Sequence, residues 1–238
     1  MSDAMSSRNT LGGARTRDAI LQAAADVASV EGLEGLSIGH LAVEVGMSKS
    51  GLFAHFGSKE ELQLATIEVA RKRYVREVIA PAMKSDAGLA QLHALCESFL
   101  SYIERRVFPG GCFFAAAMAE FDAKTAGPVR ARIAECQTMW MSSLEHAAEV
   151  AQHQRQLRSS VDPQQLAFQL EAAMLAANWY VLIFSDPAYL ERARGSVQSL
   201  LAGDATPTGL RMLNALNDGD APSTFQQAFD RAGKNGSR

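Results

Sequence analysis

Cysteine is scarce in this 238-residue chain: the three thiols, Cys96, Cys112 and Cys136, are odd in number and none belongs to a C-x-x-C pair. A disulfide framework and a thiolate zinc site are therefore not expected, and a reducing, cytoplasmic setting is. An excess of positive charge is missing too, because 23 Lys and Arg stand against 26 Asp and Glu for a net charge of -3. No chain-wide basic field draws the molecule to nucleic acid or anionic lipid, so any DNA reading has to come from local residues. Residues 1–10 hold no apolar stretch of the signal-peptide kind, and the most apolar later segment, 166–184, is broken by Gln169, Glu171 and Asn178. Neither export nor a membrane span is expected. No segment alternates apolar and polar residues convincingly enough to read as a strand. The rest is ordinary for a globular chain, 47% apolar and 21% charged, with length enough for one or two cores.

Helical periodicity and its punctuation are what the chain does have. Gly12-Gly13, Gly32, Gly46, Gly57, Pro109-Gly110-Gly111, Gly127-Pro128, Pro163 and Pro187 divide it into segments whose apolar residues recur at helical spacing. A flexible arm over 1–14 is expected before a first helix over 15–31, with Ile20, Ala24, Val27 and Ala28 on one face and Gly32 ending it in a left-handed conformation. Two short helices over 37–45 and 48–55 follow, N-capped by Ser37 and Ser48, with Gly46 in the turn. Helices that short are unstable alone. A core of Ile20, Val27, Leu36, Leu41, Val45, Leu52, Phe53 and Phe56 is expected to hold them. Ser58-Lys59-Glu60-Glu61 has the form of a capping box and starts a long helix reaching residue 79 before Pro81.

Further helices are read over 86–107, 112–122 and from 128, the last with Ile133, Cys136, Trp140, Leu144, Ala147 and Ala151 on one stripe. Asp162-Pro163 and Asp186-Pro187 each place a capping acceptor before a proline suited to a first helical turn, opening helices over 163–184 and 187–201. The first of these has more apolar surface than one intramolecular contact uses, so part of it is expected to meet another chain. Residues 203–238 read as a mostly disordered tail with a short helix near 210–216.

Two short helices around a glycine turn make the pattern of a helix-turn-helix, whose second helix enters the major groove while the first braces it. Ala42 is small enough for the two to cross closely. Lys49, Ser50, Ala54 and His55 form the outward face of the second helix, polar or small as a base-reading surface requires. Unpaired amides at the helix starts of Ser37, Ser48 and Ser58, with Lys59, suit phosphate oxygens.

The run SIGHLAVEVGMSKSGLFAHFGSKEEL over 37–62 resembles the DNA-binding domain of the tetracycline-repressor (TetR) family, in detail over 16–65. The later helices resemble that family's ligand-binding and dimerisation domain more loosely. The resemblance implies an all-α fold, with a three-helix helix-turn-helix head over 15–65 and a helical bundle over 66–202. It implies a homodimeric regulator rather than an enzyme, commonly a repressor that a small molecule releases from a pseudo-palindromic double-stranded operator.

Carried over by residue, Ser37 and Lys59 contact phosphate, and Lys49, Ser50, Gly51, Phe53 and His55 form the recognition surface. Gly39 and Ser48 join this DNA-facing set, and Arg15 and Arg17 add backbone contacts. Phe53 stands where the family commonly has a tyrosine whose hydroxyl reaches phosphate, and Gly51 replaces a residue able to contact a base. Residues 1–73 carry eight basic against nine acidic side chains, so a modest salt dependence of DNA binding is expected.

Phe99, Tyr102, Phe113, Phe114, Met118, Phe121, Trp140, Met141, Met174 and Trp179 supply either packed core or, in a bundle enclosing a largely apolar small molecule, the lining of its pocket. A four-helix dimer interface is expected through Leu166, Leu170, Ala173, Ala177, Val181 and Phe184 together with Val197 and Leu200. His146, Glu149 and His153 share a face at metal-ligand spacing but read as solvated, so neither metal nor cofactor is expected. Cys112, beside Phe113 and Phe114, reads as a packed thiol. No Ser/His/Asp order or phosphate loop supports catalysis. An activator or architectural protein with a filled bundle, or a small helical enzyme using its cavity, are the alternatives.

Overall fold

The computed structural model describes residues 2–219, with side chains over 16–216. The elements are α1 (Ser2–Glu31), α2 (Ile38–Glu44), α3 (Lys49–Phe56), α4 (Lys59–Tyr74), a π-helical turn (Val75–Ile79), α5 (Ala80–Ala82), α6 (Leu89–Glu104), α7 (Phe113–Phe121), α8 (Pro128–His153), α9 (Pro163–Phe184), α10 (Ala188–Asp204) and α11 (Pro207–Gly219). Among the described residues no strand forms, and an isolated bridge joins Leu157 to Ala205. The chain divides into two compact units, Met1–Tyr74 with Phe108–Gln137, and Val75–Val107 with Thr138–Arg238. The division differs from the expected border at residue 65, because α4, α7 and the first turns of α8 group with the head.

In the first unit α1 begins at Ser2 rather than near residue 15, so the expected arm is helical. Gly12-Gly13, read as punctuation, lies inside the helix at a cost of about 1 kcal/mol each relative to alanine. Gly32 ends α1 as expected, at φ +81°, with its amide donating to the Ala28 carbonyl. Beyond it the turn is held from a distance: Glu120 of α7 accepts from the amides of Leu33 at 2.7 Å and Glu34 at 2.8 Å. The 109–111 turn closes on the same end of α1, the Gly110 amide donating to Ser29 Oγ at 3.1 Å. Glu120→Ala would leave both turn amides without their acceptor. It is expected to cost about 2 kcal/mol in denaturant unfolding, and a change below about 0.5 kcal/mol would mean that water replaces the carboxylate.

The core of this unit contains Ile20, Leu36, Leu41, Leu52 and Phe56 as read, with Val27 and Val45 half-buried. Phe53 departs from that list, being 53% exposed. Leu52 and Phe56 stand one turn apart on the inward face of α3, and one further residue rotates Phe53 about 100° away from it. Phe108, Phe113, Phe114 and Tyr74 form a second cluster, with Phe113 and Phe114 edge to face at 5.3 Å. The Arg73 guanidinium lies 4.3 Å from the Phe108 ring centroid and bonds to Asp26 and Gln22, tying α4 to α1.

In the second unit the helix expected to continue to residue 79 widens into the π-helical turn before Pro81. Proline has no N–H and its ring crowds the carbonyl one turn back, which a regular α-helix cannot accommodate without a break. The α6 start is held by Gln156, whose Oε1 accepts from the Leu89 amide at 2.7 Å beside Gly88 at φ +100°. Asp162 caps α9 through the amides of Gln164 and Gln165, and Asp186 accepts from Ala188, as the paired Asp-Pro device predicts. The Trp140-to-Ala151 part of the α8 stripe is buried here, whereas Ile133 and Cys136 are buried in the first unit.

The inward face of α9 buries Leu166, Leu170, Met174 and Ala177, and the helix packs on α10 and α6. Among the described residues α9 is also the one helix long and apolar enough to cross a membrane by length and composition. The short helix expected near 210–216 forms and is longer than read, as α11 over Pro207–Gly219. Leu213 is fully buried, and Thr206 Oγ1 accepts from the Gly209 amide, so the segment has both a core anchor and a cap. The rest of the expected tail, 220–238, lies outside the described residues.

Candidate nucleic-acid interface

The two short helices are shaped by their first residues. Ser37 sits in extended conformation and accepts from the His40 amide at 3.0 Å, and Ser48 does the same for Gly51 at 3.1 Å. Gly46, at φ +66°, supplies the left-handed turn between them, with nothing within 4 Å of the place a Cβ would occupy. Ala42 is buried at the crossing, its carbonyl accepting from the Met47 amide at 2.8 Å. The capping box at Ser58 is made only in half: Ser58 Oγ accepts from the Glu61 amide, but the Ser58 amide is taken by the Phe56 carbonyl at 2.7 Å.

On α3 the side chains of Lys49, Ser50, Phe53 and Ala54 are exposed, whereas those of Leu52 and Phe56 are buried. Ser50 Oγ lies 3.3 Å from Ser48 Oγ, at the start of the helix. Gly39 is placed by packing: a Cβ there would come within 3.1 Å of Lys49 Cε, so its bareness lets the lysine stem lie across α2. Gly51 is similarly tight, with Ser48 Oγ 3.1 Å from a would-be Cβ. His55 is half-buried, its ring 6.2 Å from that of Phe56, which makes it a less open reader than the sequence implies. Arg17 is exposed and its guanidinium rests 4.9 Å from the Phe56 ring centroid. The Arg15 side chain lies outside the described residues.

Lys59 is not an idle cation at the start of α4. Its ammonium donates to the Glu34 carbonyl at 2.7 Å and to Glu34 Oε2 at 3.2 Å. The Glu34 carboxyl is shifted below its ordinary value. Burial pushes it up, but hydrogen bonds from Gln63 and Lys59 and the charges of Lys59 and Lys124 outweigh that.

The residues expected to line one pocket belong to different units. Phe113, Phe114, Met118 and Phe121 are in the first, and Phe99, Tyr102, Trp140, Met141, Met174 and Trp179 in the second. Within the second, Phe99 stacks on Trp140 at 6.0 Å and 22°, and the Trp140 indole donates to Glu171 Oε2 at 2.6 Å. Glu171, bound by the Trp140 indole, and Asn178 are both buried in this unit, two polar groups that the aromatic pattern did not single out. Trp179 leaves the set: it is half-exposed on the outer face of α9.

The expected dimer residues need a parallel correction. Leu166, Leu170, Ala177 and Val197 are buried within this one chain, while Ala173, Val181 and Leu200 are intermediate. Of that list only Phe184 is exposed. Phe168, Trp179, Tyr180 and Ile183 of the same helix are exposed with it, Ile183 at 74%, and the rings of Tyr180 and Phe184 lie 5.1 and 5.6 Å from that of Tyr189 in α10. Both faces of α9 are apolar, so periodicity alone could not say which one the chain keeps for itself.

All three cysteines are buried, and burial pushes the thiols of Cys96 and Cys136 up. His146 and Glu149 form an exposed pair at 3.8 Å. Among the described residues no group of three or more His, Cys, Asp or Glu is placed to hold a metal.

Residues 20–66 match the family model of bacterial regulatory proteins of the tetR family, and residues 88–197 match that of the tetracyclin repressor-like C-terminal domain. No curated protein matches the chain. Among solved structures, a TetR transcriptional regulator from Chloroflexus aurantiacus J-10-FL is similar at 24% identity over 82% of this chain and 98% of that one, with a TM-score of 0.76. A TetR-family regulator from Cytophaga hutchinsonii is similar at 22% over 82% and 97%, with a TM-score of 0.69. AibR, solved with isovaleryl coenzyme A and operator DNA, is similar at 24% over 78% and 98%, with a TM-score of 0.61. These structures share the all-helical fold, and the two family models together span more than half of the chain. With its helix-turn-helix and its helical second part both matched, the chain belongs to the TetR family of DNA-binding transcriptional regulators.

Proposed function

We propose that this regulator is a cytoplasmic homodimeric repressor that leaves a pseudo-palindromic operator when a small, largely apolar molecule binds in its second unit. The observation that carries the DNA part is the outward face of α3, where Lys49 and Ser50 stand beside an exposed Phe53 and a small Ala54. Lys49 can donate to guanine in the major groove, and the apolar ring and methyl suit thymine methyl groups. Ser37, Ser48 and Lys59 hold the head on the phosphates around that face.

The dimer reading is supported by the large apolar side chains that α9 leaves exposed, Phe168, Trp179, Tyr180, Ile183 and Phe184. Two copies of α9 and α10 would bury them, and half-sites about one turn of DNA apart follow from the two-fold axis. For the effector, the reading is supported by the Phe99, Tyr102 and Trp140 cluster, with buried Glu171 bound to the Trp140 indole as a polar anchor. AibR was solved with an acyl-coenzyme A and its operator together. An effector acts here only through unequal affinity for the DNA-bound and released forms.

Selection from a random duplex pool tests the reading. The wild-type chain is expected to enrich a two-fold related site, with Lys49→Ala weakening it about tenfold and relaxing one base position. His55→Ala, at a half-buried position, should have the smaller effect. No enrichment at low salt by a folded dimer would reject the reading.

A further inference from the structure

Lys59 is asked to serve two anions. On the reading above it holds a DNA phosphate, and in this structure its ammonium is already bound to Glu34 through the carbonyl at 2.7 Å and the carboxylate at 3.2 Å. We propose that Glu34 restrains Lys59 from the phosphate, and that Lys124, in the connection between α7 and α8, sets the strength of that restraint.

The geometry makes the competition direct. Glu34 Oε2 faces Lys59, while Oε1 faces Gln63 Nε2 at 3.3 Å and Lys124 Nζ at 3.5 Å, so two cations share one carboxylate. The carboxylate cannot follow the lysine onto DNA. Its backbone is fixed by the Glu34 amide on Glu120 Oε1 at 2.8 Å, and the preceding Leu33 carbonyl accepts from Gln63 Nε2 at 2.8 Å. Lys59 and Glu34 are each nearly half-exposed, which leaves the ammonium within reach of a phosphate at the surface. In its position near Glu34, Lys124 Nζ lies 4.6 Å from the Phe121 ring centroid, which helps to hold it there, at the edge of a cleft of about 360 Å³ lined by Glu34, Gln63, Phe121, Lys124 and Arg130 among others. From there Lys124 neutralises part of the carboxylate charge and loosens the hold on Lys59. Without its ammonium, Glu34 would hold Lys59 alone. The α7–α8 connection thereby acts on a DNA contact of the same unit without touching DNA.

The inference rests on Lys59 being a phosphate contact, and the experiment separates the two. Full-length wild type, Glu34→Gln, Lys124→Ala, Lys59→Ala and the Glu34→Gln/Lys59→Ala double variant are titrated onto a labelled duplex of random sequence over a salt series, after melting curves have matched their folding. Glu34→Gln should tighten binding about threefold and Lys124→Ala should weaken it about twofold, the scale of exposed ion pairs. Lys59→Ala should weaken binding and lower the log-log salt slope by about 0.9. On the Lys59→Ala background, Glu34→Gln should change nothing. Equal tightening with and without Lys59 would reduce Glu34 to a general negative charge and overturn the proposal. So would no tightening by Glu34→Gln where Lys59→Ala does weaken. If Lys59→Ala alters neither affinity nor slope, the phosphate reading itself has failed, and the restraint falls with it.

Discussion

Gly110→Ala is expected to destabilise the first unit by about 3 kcal/mol or more, enough to remove a large part of a typical domain's stability. The cause is steric rather than conformational. A Cβ at this position would lie 1.9 Å from the Ser29 carbonyl oxygen and 2.4 Å from its carbon. Those atoms are backbone at the end of α1, so no rotamer change can move them aside. Relief requires the 109–111 turn to lift off α1, which breaks the bond from the Gly110 amide to Ser29 Oγ. Gly127→Ala is the control, since nothing lies within 4 Å of its Cβ position, and it should be close to neutral. Thermal and denaturant unfolding of the two variants measure the difference. A Gly110→Ala protein as stable as Gly127→Ala would mean that the turn does not dock on α1 in solution.

Replacing Trp179 and Ile183 together by glutamate is expected to convert the protein to a monomer and to weaken operator binding by at least about a hundredfold. Both side chains are half or more exposed in the single chain, so their loss costs little inside the protomer. In the proposed dimer they would be buried against the same face of the partner, and four carboxylates would be brought together without counter-ions. The DNA effect follows from linkage. Two heads on one rigid body bind the second half-site at a high effective concentration, and separate heads do not. Sedimentation velocity reads the first outcome and titration on the selected site the second. Leu170→Ala provides the contrast: buried within the chain, it should lower stability by about 2 to 5 kcal/mol while leaving the surviving folded protein dimeric. A dimer that persists in the double glutamate variant would move the interface away from α9.

The parts of the fold that the sequence made legible are those fixed by neighbours within a few residues. Ser37 and Ser48 announce helix starts because a short hydroxyl can reach an amide three residues on, and Gly46 announces a turn because it alone tolerates the conformation cheaply. The helix-turn-helix is built almost wholly from such signals, which is why its outline could be read at once. Phe53 shows the limit: a large apolar side chain in a core-like run fits an inward or an outward position, and only the register of Leu52 and Phe56 decides for solvent. The α9 helix shows it again, since Leu166 and Phe168 are equally apolar and only the packing of α6 and α10 tells them apart. Glu120 and Glu34 gave no signal at all. Their partners lie 87 and 25 residues away in the chain, and a carboxylate in an ordinary helical stretch looks like any solvated one.

The first unit is assembled from two stretches of chain, Met1–Tyr74 and Phe108–Gln137, with a segment of the other unit threaded between them. On the ribosome this order matters. Translation adds about 5 to 20 residues per second, so the nascent helix-turn-helix spends several seconds outside the tunnel before Gly110 and Glu120 arrive to close it. During that interval the amides of Leu33 and Glu34 face water and the end of α1 lacks its cover. Chaperones and proteases would meet the amino-terminal helices as an incomplete body, and a synonymous change that slows translation between codons 75 and 137 would lengthen that exposure without altering a single residue.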